Sequence, residues 1–317
     1  MNTKTKVWIQ ALRLRTLPLA AGGIILGSLL PETQISMDNR IFILALLTAF
    51  ALQILSNLAN DYGDHVKGTD NEKRVGPLRA MQTGAISKKE MTLAMVLFGA
   101  IALLSGIALI LVSFGRDQMP QALGMLGIGL AAIWASIQYT VGKRAYGYHG
   151  LGDVFVMLFF GLVSVWGVSY LYLGNLNPSL LYPALSYGFL ATGVLNINNM
   201  RDIENDRASG KKTLVVRMGL NNARIYHVAL VLLALFFQFY YLWNLDLEAC
   251  FAPSTNPPDY RLRYLGLLGF APILVNTFRV IRLKANVGAY NPFLKGLAVG
   301  ALFQTLLLIT VLNYLRP

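Results

Sequence analysis

The chain has 317 residues, 55% of them hydrophobic and only 13% charged, with a mean hydropathy of +0.53. Soluble domains carry about a quarter charged residues, so a water-covered globule is excluded; so are collagen, disorder and a disulfide scaffold, Cys250 being the only cysteine. The formal charge of +12 lies in short gaps between apolar runs rather than with aromatics on one face, which speaks for membrane topology and against nucleic acid as a partner. The three histidines, His65, His149 and His227, are too scattered for a zinc site.

Nine apolar runs reach the length needed to span a bilayer, near 7–30, 40–60, 91–113, 121–142, 151–173, 179–200, 222–243, 264–283 and 293–315. The fold class is therefore all-α: a single polytopic membrane domain over 1–317 with about nine transmembrane helices in contact with lipid. The first run is expected to be retained rather than cleaved, because its apolar character begins at Val7 and no small-residue cleavage site precedes charge. With the N-terminus inside, twenty of the 27 Lys and Arg residues fall on that side and five (Arg40, Arg116, Arg261, Arg263 and Arg316) on the other. That asymmetry predicts a cytoplasmic N-terminus, an outer C-terminus, and an irregular outward gap at 244–263 containing Pro253, Pro257 and Pro258. Small residues in 121–142 permit a dimer without requiring one.

Two of the inner gaps carry acid. Residues 57–64 read NLANDYGD and 198–206 read NNMRDIEND, each opening on Asn-x-x-x-Asp at the inner end of an apolar helix. On a helix Asn57, Asp61 and Asp64 share one face, with Asn60 adjacent, and Asn198, Asp202 and Asp206 share another. The copies end the second and sixth spans, a weak internal repeat, and repeats in membrane proteins tend to place the site between them. Solvated acidic loops at 57–90 and 198–221 are the plain explanation for any single Asp. Two matched sets on one side favour a divalent-cation site, since carboxylate and amide oxygens without thiolate or imidazole suit Mg²⁺.

Cations accompany the acids: Lys67, Lys73, Arg74 and Arg79 in one gap, Lys211, Lys212 and Arg217 in the other. Carboxylates alone reject a diphosphate, whereas metal with Lys and Arg accepts it and stabilises it as it departs. About half of these cations are explained by topology alone. No GxxxxGK[ST] string is present, so a nucleotide triphosphate is not indicated. A lipid-tailed diphosphate fits better, its head at the metals and its tail among apolar helices. Ionisation of an allylic prenyl chain leaves a carbocation that aromatic faces stabilise. Tyr139, Tyr146, Tyr148, Phe159, Phe160 and Trp166 are candidates, although most aromatics in such a chain simply pack.

NDYGD at 60–64 and RDIENDRASGKKTL at 201–214 resemble the motifs of UbiA-type intramembrane aromatic prenyltransferases. RLRTLP at 13–18, ANDYGDHVKG at 59–68, GPLRAMQTGAIS at 76–87 and YTVGKRAYGYHGLGD at 139–153 resemble its naphthoate branch. The resemblance runs from the first helix through residue 219, and the last three spans match in hydropathy alone. It implies a nine-helix bundle of the bacterial inner membrane with a site near the cytosolic face. It further implies Mg²⁺-dependent transfer, with two ions, from a polyprenyl diphosphate to 1,4-dihydroxy-2-naphthoate, losing diphosphate and carbon dioxide on the way to demethylmenaquinone.

Carried over residue by residue, the resemblance puts metal ligation on Asn57, Asn60, Asp61, Asp64, Asn198, Asp202 and Asp206, and diphosphate contacts on Lys67, Lys211 and Arg79. Tyr139 and Lys143 fall in the segment the family places near the diphosphate and the prenyl cation. Arg13, costly inside a span unless used, is the candidate for the acceptor's carboxylate, with snorkelling to the headgroups as its plain alternative. The chain departs from the family pattern at Gly68, where a third Asp is frequent and Asp70 is the nearest acid, at Asn198, and at Arg13-Leu14, where Arg-Pro is usual. Two alternatives remain on the sequence alone. One keeps the fold and takes 4-hydroxybenzoate or homogentisate as acceptor. The other is a cation-coupled transporter, which would place its acids near the midplane on broken helices.

Overall fold

The computed structural model describes residues 3–30, 37–69, 79–115, 118–251, 260–283 and 287–315. Asp70, Lys73, Arg74, Arg116, Arg316 and the three prolines of the outward gap lie outside the described residues. Among the described residues the chain is helical without strands, and nine helical segments are long and apolar enough to cross a bilayer. Large side chains such as Leu93, Val96, Leu104 and Leu111 point outward from the bundle. Such a surface suits lipid and not water.

The first span is two helices, α1 (Thr3–Leu12) and α2 (Leu17–Leu29). Its break is at Arg13, whose φ of 48° makes it the one non-glycine residue in the left-handed region among those described. Leu14, standing where the family usually has proline, therefore does not remove the bend; Arg13 makes it, and Pro18 opens α2. Helix α3 (Asn39–Val66) starts on an Asp38 cap and runs six residues past its predicted end at 60. The first acidic motif is thus helical where a loop was expected from 57 onward.

Helix α4 (Lys88–Phe114) opens on a Ser87/Glu90 capping box, and α5 (Met119–Gln138) follows. The fifth span joins α6 (Gly152–Val156), an eleven-residue π-helical segment (Met157–Gly167) and α7 (Val168–Leu173). Helix α8 (Leu181–Ala208) is the axis of the bundle, with 67% of its apolar window buried against 11% for α5. It packs on the π segment, on α9 (Leu214–Phe251) and on α11 (Asn291–Tyr314). Contact with the π segment is backbone to backbone: a Cβ on Gly161 would meet Ala184 O at 2.7 Å and Gly188 Cα at 2.8 Å. Small residues allow this approach, which lipid-embedded helices use where no hydrophobic effect drives them together.

Helix α9 begins at Leu214, eight residues before the predicted span, because the chain turns at Gly219 (φ 78°) and resumes as helix. It extends to Phe251, so the outward gap is shorter than expected. The eighth span is a 3₁₀ run (Tyr260–Gly269) followed by α10 (Phe270–Arg282). The ends of α3 and α8 meet the start of α11 and the Arg13 bend, so both acidic motifs occupy one end of the bundle.

Candidate active site

Beneath that end lies a cavity of about 360 Å³. Arg13, Asn57, Asn60, Asp64, Arg79, Tyr139, Asn198, Asp202, Asp206 and Lys211 line its polar end, while Ile24, Leu109, Val168 and Leu171 line its apolar depth. Most residues that sequence reasoning singled out, separated by up to 198 positions, thus converge on one volume. The π segment supplies a wall. Its wider turn, closing i to i+5 bonds, brings Phe159 with Phe160 and Val163 with Ser164 to the same side. Above them an aromatic ladder runs from Phe159 to Phe155 (6.2 Å), to Tyr146 (3.9 Å), and edge-on to Tyr139 (5.4 Å).

The acids are neutralised by buried cations. Asp61 pairs with both Arg13 and Arg79. Asp64 accepts from Tyr148 Oη at 2.8 Å and lies 3.4 Å from Arg79 Nη2. Asp202 takes a two-pronged bond from Arg201, Nε to Oδ1 at 2.8 Å and Nη2 to Oδ2 at 2.5 Å. The same guanidinium donates to Asn198 Oδ1 at 2.8 Å and Asn291 Oδ1 at 3.0 Å. Lys211 stands between the motifs, its Nζ 3.7 Å from Asp206 and 4.0 Å from Asp64. Burial works against the Lys211 ammonium, but the two carboxylates outweigh it and hold its pKa above the usual lysine range. Four carboxylates this close to lipid need such compensation.

The two motif ends are also sewn together by Asn205 Nδ2, which donates to Thr69 O at 3.0 Å. Lys67 is half-buried, with its Nζ 3.8 Å from the centre of the Tyr148 ring. Burial lowers its pKa, with Lys211 nearby adding to the effect and Asp64 opposing it. Lys143 is exposed and, like Lys67, lines a side groove rather than the cavity; among the described residues no contact joins it to the acids. Lys212 is exposed as well, and Arg217 donates to His149 O at 2.9 Å. Trp166 is a packing residue whose indole donates to Asn177 O.

Asn57 has a second occupation. Its amide nitrogen donates to Leu12 O and Thr16 Oγ1, both at 3.1 Å, and so holds the chain across the Arg13 bend, while its oxygen accepts from Gln53 at 3.3 Å. Asn57→Ala is therefore expected to destabilise the protein by about 1–3 kcal/mol for the carbonyl left unpaired, read as a lower thermal midpoint of detergent-purified protein. An unchanged midpoint would show that Asn57 does not hold the bend.

Sequence reasoning passed over Arg201, Asn205 and Phe155. The available signal was an arginine at the inner end of a span, beside the acid it serves; it was absorbed into the topology count. The donor chemistry suits Mg²⁺. Among the described residues, Asn60 Oδ1, Asn205 Oδ1 and Asp206 Oδ2 are buried without a hydrogen-bond donor, and all three residues line the cavity. No three or more acidic, His or Cys side chains among the described residues form a group that could hold a metal ion by themselves, so amide oxygens, water and substrate oxygens would have to complete the shell of a bound Mg²⁺.

The profile of the UbiA prenyltransferase family matches residues 17–254. A protein of Escherichia coli named 1,4-dihydroxy-2-naphthoate octaprenyltransferase is 45% identical over 97% of this chain and 95% of its own length. Its namesake in Haemophilus influenzae is also 45% identical, over 74% of this chain and 76% of that one. The solved structure of a UbiA homologue from Archaeoglobus fulgidus bound to GPP and Mg²⁺ superposes with a TM-score of 0.60 at 16% identity, covering 95% of this chain and 99% of that one. At that identity the likeness is one of fold.

Proposed function

The chain belongs to the UbiA prenyltransferase family, and from that premise we propose that it transfers a polyprenyl group from polyprenyl diphosphate to 1,4-dihydroxy-2-naphthoate, releasing diphosphate and carbon dioxide. The observation that carries the reading is Lys211 set between Asp64 and Asp206, joining two acidic helix ends over an apolar cavity. The names of the curated relatives support the acceptor and the octaprenyl donor.

In this reading Asn57, Asn60, Asp61, Asp64, Asn198, Asp202 and Asp206 hold two Mg²⁺ ions, and the unpartnered oxygens of Asn60 and Asp206 support it. Bound there, the metal would supply the positive charge that stabilises the departing diphosphate. Lys211, Arg79 and Lys67 bind its remaining oxygens. The apolar depth holds the first part of the tail and excludes water from the allylic carbon once its C–O bond breaks. The ring faces of Tyr139, Tyr146, Phe155 and Phe159 stabilise the cation. Arg13 orients the acceptor through its carboxylate. The ring carbon bearing that carboxylate forms the new C–C bond; its bond to CO₂ then breaks, and the electron pair restores the aromatic ring. The product is the prenylated diol, and its oxidation to the quinone lies outside this step. The excess of Lys and Arg in the inner gaps supports a cytoplasmic N-terminus and a site facing the cytosol in a bacterial inner membrane.

The test offers purified protein, Mg²⁺ and a labelled prenyl diphosphate to 1,4-dihydroxy-2-naphthoate, 4-hydroxybenzoate and homogentisate in parallel. Product is expected only with the naphthoate, at a mass lower by one CO₂ than simple addition would give. Product with another acceptor alone would overturn the assignment while leaving the family intact.

A further inference from the structure

We propose that Tyr148 is a positioning residue for the diphosphate: its ring holds the ammonium of Lys211, at the polar end of the cavity, near that of Lys67, in the groove beside it, while its hydroxyl anchors Asp64. Tyr148 sits in the single 3₁₀ turn Tyr146–His149, in the connection between α5 and α6. Its hydroxyl is 2.8 Å from Asp64 Oδ1 and 2.6 Å from Thr69 Oγ1. The ring centre is 3.8 Å from Lys67 Nζ and 5.3 Å from Lys211 Nζ. Its carbonyl accepts from Lys212 N at 3.1 Å. One side chain therefore touches the end of α3, the turn after it and the loop after α8, the three pieces that carry the acids and the lysines.

Two ammonium groups brought to one place repel each other, and something must hold them until an anion arrives. Asp64 and Asp206 already draw on Lys211, at 4.0 and 3.7 Å, and a further carboxylate would compete with the incoming phosphate. An aromatic face attracts both cations without carrying net charge, and leaves their N–H groups available to phosphate oxygens. Tyr148 itself is not part of the cavity wall, so it acts through the lysines and Asp64 rather than on the substrate. The inference rests on the diphosphate reading above.

The experiment compares Tyr148→Phe, which keeps the ring, with Tyr148→Leu, which removes it, in the full-length protein purified in detergent. Geranyl diphosphate and Mg²⁺ are titrated without acceptor and binding is read as a shift in thermal midpoint; KM and kcat follow in separate assays. For Leu the half-saturating geranyl diphosphate is expected to rise about tenfold, with KM rising in step, while Phe stays within about twofold of wild type. For Phe the half-saturating Mg²⁺ is expected to rise about threefold or more, because Asp64 loses its hydroxyl partner. The proposal is overturned if Leu binds geranyl diphosphate like wild type, or if Phe loses as much affinity as Leu. Equal drops in the unliganded midpoint with unchanged ligand titrations would make Tyr148 a loop staple and also overturn it. A folded wild type that shows no shift with geranyl diphosphate would instead sink the diphosphate reading, and this proposal with it.

Discussion

Asp61→Ala, and separately Asp202→Ala, are expected to abolish prenyl transfer, with product formation falling by at least about 10²–10³ while each protein still inserts into the membrane. The two variants fail for related reasons. Asp61 is the counter-charge for Arg13 and Arg79, so its loss turns one wall of the cavity strongly positive, and in the proposed reading it also removes a metal donor. Asp202 is gripped by Arg201 through both oxygens, and without it that guanidinium is left buried beside Asn198 and Asn291. Removing one partner of a buried pair also costs stability, about 3–5 kcal/mol. Asp→Asn at the same positions is the needed companion: it keeps the size and shape of the side chain, removes the charge, and leaves one acceptor oxygen of the two for the guanidinium groups. Labelled product from detergent-purified protein with added Mg²⁺ is the measurement. Turnover like wild type in both Ala variants would remove the acids from the chemistry.

Gly161→Leu should have the largest effect on the fold itself. A Cβ at that position would lie 2.7 Å from Ala184 O and 2.8 Å from Gly188 Cα, atoms of the α8 backbone that cannot swing aside. The π segment would have to leave α8, and the aromatic wall it carries would leave with it. Overpacking costs about 1–3 kcal/mol in soluble cores where side chains yield, and backbone contact puts this site at or above the top of that range. Loss of the monodisperse peak on detergent gel filtration, or a fall of the thermal midpoint by several degrees, is the expected result. Gly127→Ala on α5 is the control: a Cβ there meets nothing within 4 Å, so the change is expected to be neutral or slightly stabilising. A tolerated Gly161→Leu would mean that the two helices do not need this approach.

Much of the site was legible beforehand because its signals are local. Apolar length announces a span, and Asn57, Asp61 and Asp64 share a helix face by spacing alone. Lys143 has the right chemistry, and the structure places it exposed beside a side groove that Lys67 also lines. The same local logic gave Asn57 one role, where the structure shows that it also clamps the first span. Arg201 was overlooked because its partners in the motif read as metal ligands, and an arginine at an inner helix end already had an explanation.

What the residues determined alone, then, is the all-helical membrane class, the order of the spans and the oxygen-donor chemistry at the ends of two of them, since each follows from period, length and charge along a short stretch. What only the tertiary structure decided is which cation meets which acid. Arg13 reaches Asp61 across 48 positions, and Tyr148 reaches Asp64 across 84. Such pairings depend on the rotation and depth of whole helices. Those in turn are set by backbone contacts such as Gly161 on Gly188, by the bend at Arg13 and by the widened turns of the π segment, none of which leaves a mark in the spacing of the residues it brings together.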